Sequence, residues 1–69
     1  MPYNYSKLLG RMKELGYTQD SLAKAIGREK STINLKLNNK GEFKAGEMDA
    51  ICKVLDISND ELGDYFFAK

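Results

Sequence analysis

The chain predicts an all-α domain of five short helices, and three observations carry that reading. Apolar residues recur every three to four positions, and no stretch alternates with the period of two that a half-buried strand requires. Gly16 and Gly27 each stand just past an apolar stripe, where a left-handed residue ends a helix. Thr18 and Ser58, residues of the kind that start helices, each precede a further apolar stretch. The 69 residues form one domain, 1–69. At that size only about 60% of the unfolded chain's surface is buried on folding, so the core is thin.

The elements follow in order. The first helix is expected from about Ser6 to Leu15, with Leu8, Met12 and Leu15 on one stripe and Gly16 ending it. Thr18 caps a second, about Gln19 to Ile26, with Leu22, Ala23 and Ile26 on one side and Gly27 closing it. A third spans about Glu29 to Asn38, with Ile33 and Leu37 inward. Asn38-Asn39-Lys40-Gly41 then opens a loop, and Phe43 returns to the core. The fourth, about Ala45 to Leu55, buries Met48, Ile51, Cys52 and Leu55. Ser58 starts the fifth through a Ser58-x-x-Glu61 capping box, with Ile57 and Leu62 placed as a hydrophobic staple. The closing Tyr65-Phe66-Phe67 carries more aromatic surface than so thin a core needs. These three residues are candidates for a dimer contact, with completion of the core as the other role for Phe66.

Composition removes several function classes. There is no His and a single Cys, Cys52, which excludes an intramolecular disulfide, a zinc site and His-dependent catalysis. Carboxylates fall at caps and helix ends, and Ser, Thr and Cys have no imidazole to activate them, so neither an enzyme nor a cofactor is expected. Cys52 on a buried stripe reads as a small core residue. No apolar run approaches the roughly 18 residues of a membrane span, and MPYNYSKLL is not a signal peptide; a soluble, cytoplasmic protein is expected.

Charge is distributed unevenly. Residues 1–44 hold nine Lys and Arg against four acids, a balance of +5, whereas residues 45–69 hold two Lys against six acids, a balance of −4. The positive half surrounds residues 18–38, two short amphipathic stretches joined at Gly27. A single Gly between such helices, with the small Ala23 at the crossing, predicts a helix-turn-helix, whose second helix can lie in the major groove of DNA.

With Ile33 and Leu37 inward, steps of about 100° per residue put Ser31, Leu35 and Asn38 outward, with Asn34 flanking. Ser and Asn both donate and accept hydrogen bonds, as base edges do, and Leu35 suits a thymine methyl or a neighbouring loop. Lys30 opens the helix and is the candidate for guanine O6 and N7. Glu29 beside it suits compensation of the helix dipole, with hydrogen bonding to cytosine N4 as the lesser alternative. Phosphate contacts are expected from Gln19 and Thr18 at the start of the second helix, and from Arg28, Asn39, Lys40 and Lys44 around the third.

Thr18-Gln19-x-x-Leu22-Ala23-x-x-Ile26-Gly27, then Ser31-Thr32-Ile33 and Leu37-Asn38-x-Lys40, resemble the lambda-repressor-like helix-turn-helix proteins, the Cro and repressor domains of temperate phages and related regulators. The resemblance covers about residues 5 to 62. It implies a five-helix domain that binds operator DNA as a homodimer, with Gln19 on phosphate and supporting Lys30, and with Ser31 and Asn34 or Leu35 reading bases. With no sensor region after the fifth helix, the likeness is to a Cro-type minimal repressor. Three positions depart from the family pattern. Leu37 stands one place late, Lys44 replaces a capping Ser or Thr, and Asp56 occupies a position often held by Gly.

The expected function is therefore a sequence-specific regulator on double-stranded operator DNA. Each monomer would read about five or six base pairs, and half-sites would lie about one helical turn apart. The alternative is a protein-interaction module of the same fold, antirepressor or antitoxin-like, favoured by the low net charge and by Leu35.

Overall fold

The computed structural model describes residues 2–69, and among these it contains helices and no strands. Helix α1 spans Ser6–Glu14, α2 Gln19–Ile26, α3 Lys30–Leu37 and α4 Ala45–Val54. A 3-10 turn, Asn59–Glu61, leads into α5, Leu62–Phe66. No helix among the described residues is long and apolar enough to cross a membrane.

One closing device ends all of the first four helices. Gly16, Gly27, Asn39 and Asp56 adopt positive φ, at 79°, 72°, 60° and 54°. In each case the following N–H reaches back five residues: Tyr17 to Met12 O, Arg28 to Ala23 O, Lys40 to Leu35 O, and Ile57 to Cys52 O, at 2.7–2.8 Å. This pairing occupies carbonyls that a helix end otherwise leaves open. Glycine adopts the required backbone without steric cost, and two of the four positions use it. Arg11 adds a cap in trans: its Nε donates to Leu55 O at 2.9 Å, tying α1 to the end of α4.

The core draws on every helix: Leu8 and Met12 from α1, Leu22 and Ala23 from α2, Ile33 and Leu37 from α3, Ile51 and Cys52 from α4, and Tyr65 and Phe66 from α5. Tyr5, Leu55 and Ile57 complete it. Phe43 returns to it as the sequence implies, edge-on to Tyr5 and Phe66 at centroid distances of 5.5 and 5.4 Å. Burial raises the pKa of the Cys52 thiol, with Asp49 adding to the effect, as expected of a packed residue.

Three expectations are corrected. Leu15 is exposed rather than part of the α1 stripe, because the chain leaves the helix at this residue and turns at Gly16. The Ser58 capping box does not form. The 3-10 turn sends the Glu61 N–H to Ser58 O at 3.0 Å, and the Ser58 hydroxyl donates to the Glu61 carboxylate at 3.1 Å. Tyr65 and Phe66 are buried within the chain and are not available as dimer contacts. Of the three closing aromatics only Phe67 is exposed, at 47%, and its ring meets Tyr3 edge-on at 5.6 Å.

Candidate binding face on the third helix

Helices α2 and α3 are eight residues each and are joined by the three residues Gly27, Arg28 and Glu29. Thr18 and Ser21 form a reciprocal cap: the Thr18 hydroxyl accepts the Ser21 N–H at 3.1 Å, and Ser21 Oγ accepts the Thr18 N–H at 2.8 Å. Ala23 is fully buried at the foot of the turn, where a small side chain is needed. Ile33 and Leu37 anchor α3 on the core, which fixes its rotation.

That rotation leaves Lys30, Ser31, Asn34, Leu35 and Asn38 exposed. Leu35 is 48% exposed. All five residues assigned to base reading are thus exposed; Ser31, Asn34, Leu35 and Asn38 lie on one side of α3, and Lys30 stands at its first turn. Asn34 Nδ2 donates to Gln19 Oε1 at 3.1 Å, linking this surface to the first turn of α2. Asn38 caps the end of α3 and donates from Nδ2 to Asn34 O at 2.8 Å.

The residues assigned to phosphate are less uniform. Lys40 and Lys44 are exposed, and no ion pair engages them or Lys30 among the described residues. Gln19 is half-buried and holds Asn34. The Thr18 hydroxyl is committed to the helix cap. Asn39 spends its amide on Tyr3, accepting the backbone N–H at 2.8 Å and donating to the carbonyl at 2.9 Å. Arg28 turns its Nε to Glu47 at 3.0 Å.

Glu47 is the residue that sequence reasoning missed. It is 3% exposed, and its carboxylate takes the Arg28 Nε on one oxygen and Lys36 Nζ on the other. The second oxygen also accepts the backbone N–H of Lys44 at 2.8 Å. Burial disfavours the charged form, but hydrogen bonds from Lys36, the Lys44 backbone and Arg28, with the Lys36 charge, outweigh it and lower the pKa to about 2. One acid thus neutralises two cations of the basic half and pins α3 to α4. A signal existed: Glu47 lies three residues after Lys44, the capping-box spacing, so it supplies the helix start that the absent Ser or Thr at Lys44 leaves open.

The structure is thus a small all-helical domain with an exposed α3 face, and comparison with known proteins places it in a family. The family described as "Protein of unknown function (DUF739)" matches residues 1–69, and the chain belongs to that family. It is similar to the solution structure of the modulator of repression of the temperate bacteriophage TP901-1 from Lactococcus lactis. Identity is 39%, the TM-score is 0.82, and the match covers 97% of this chain and 90% of that one. No curated protein matches the chain.

Proposed function

We propose that this protein regulates repression in a temperate phage or related mobile element by binding operator DNA through the outward face of α3. One observation carries the reading: Lys30, Ser31, Asn34, Leu35 and Asn38 lie exposed on a helix whose rotation Ile33 and Leu37 fix. In this reading Lys30 donates to guanine, Ser31 and Asn34 contact base edges, and Leu35 meets a thymine methyl. Gln19, Lys40 and Lys44 meet phosphate, and Gln19 also orients Asn34. The likeness to a phage modulator of repression supports the regulatory setting. Two copies, each on a half-site about one helical turn from the other, supply the site length that one short helix lacks. Fluorescence anisotropy with operator duplexes tests this. Affinity should fall with salt by about 0.9 in log K per log salt for each phosphate neutralised.

A second reading, docking of a protein partner on the same face, is favoured by the half-exposed Leu35 and by the loss of Arg28 and Lys36 to Glu47. It suits the word modulator in the similar protein's name equally well. No duplex binding at low salt, together with a stable hetero-complex that Leu35→Ser disrupts, would select it over the first.

A further inference from the structure

We infer that Glu47 is a specificity-determining charge lock: it withholds Arg28 and Lys36 from nucleic acid, so that binding depends on the α3 side chains more than on total charge. The inference rests on the duplex-binding reading above. Arg28 stands in the turn directly before α3, where an unpaired guanidinium would reach a phosphate beside the groove. Instead its Nε donates to the Glu47 carboxylate at 3.0 Å and one terminal nitrogen to Gly27 O at 3.4 Å, which ties the guanidinium to the protein although the side chain stays 48% exposed. Lys36, in the last turn of α3, has an almost buried side chain that ends on the same carboxylate.

Phosphate contacts are blind to sequence, whereas base-edge contacts are not. A small domain that exposed Arg28 and Lys36 beside Lys30, Lys40 and Lys44 would hold any duplex. Holding two of these five cations at a buried acid lowers that indiscriminate contribution and leaves the α3 face unchanged. The buried carboxylate therefore favours discrimination over affinity.

The test compares the native 69-residue protein with Glu47→Gln and Arg28→Gln on a random-sequence duplex across a salt series, with folding confirmed by circular dichroism. The lock requires Arg28→Gln to leave the salt slope of the native protein unchanged, because that side chain is already engaged. Glu47→Gln should bind the random duplex several-fold tighter, with a slope steeper by about 0.9 per cation released. Adding Arg28→Gln to Glu47→Gln should remove at least one such increment.

A native slope that falls when Arg28 is replaced would overturn the lock, and Arg28→Gln retains the Lys36 pair, so this arm survives if Glu47→Gln does not fold. Duplex binding by both proteins with equal slopes overturns the lock and leaves the DNA reading intact. Random-duplex binding by Glu47→Gln alone supports the lock, since the native protein is then the more discriminating of the two. Binding by neither folded protein overturns both.

Discussion

Asn34 on α3 donates its side-chain amide to the Gln19 carbonyl oxygen on α2 at 3.1 Å, so two residues assigned to different duties, base edge and phosphate, form one unit. Truncating either should release the other. A double-mutant cycle of Gln19→Ala and Asn34→Ala, measured by anisotropy on a bound duplex, should show a coupling energy of about 0.5–3 kcal/mol. Strict additivity would mean that the pair does not persist in the complex.

The Glu47 cluster predicts a pH dependence of stability. Its folded pKa of about 2 lies below the ordinary 4.5, so its contribution is fully present above the ordinary value and is lost as pH falls through the folded one. In urea unfolding, Glu47→Gln should be less stable than the native protein at pH 7, and the difference should shrink steadily between pH 5 and pH 2. A constant gap across that range would refute the ionised, doubly paired state.

Asp56 holds φ at 54° at the end of α4, where its negative charge also opposes the helix dipole. Gly removes both costs, and the carbonyl facing Arg11 is retained. Its greater freedom in the unfolded chain offsets part of the gain. Asp56→Gly should raise stability by about 0.5–1 kcal/mol, and Asp56→Val should lower it. Equal melting temperatures for the two variants would contradict the left-handed closure.

Phe66 and Phe67 are adjacent, yet they should behave in opposite ways. Phe66 is 1% exposed, and Phe66→Ala should cost about 3–5 kcal/mol, enough to threaten a domain this small. Phe67→Ala removes a half-exposed ring that touches Tyr3 and should cost about 1 kcal/mol or less. Thermal melts decide between them. Similar losses at both positions would show that Phe67 is part of the core.

Much of this was legible in the sequence because local rules and tertiary packing agree. Period and caps located α2 and α3 within a residue, and Ile33 with Leu37 then fixed which side chains of α3 face outward. Leu15 misled because a stripe drawn at helical spacing ignores where the chain leaves the helix. Phe66 was ambiguous because aromatic residues serve cores and interfaces alike, and only the positions of Tyr5 and Phe43 settle its burial. Glu47 escaped because acids are counted as surface charge by default. Its two ion-pair partners lie 11 and 19 residues away, so no helical period connects them, and only the cap at Lys44 is local.

The central claim is that the α3 face reads sequence. Selection of bound duplexes from a random pool by the native protein at low salt, repeated with Lys30→Ala, tests it most directly. The account predicts an enriched motif with half-sites about one helical turn apart, relaxed at defined positions in the variant by about 1–3 kcal/mol. No enrichment by the folded protein, or a motif that Lys30→Ala leaves unaltered, would contradict it.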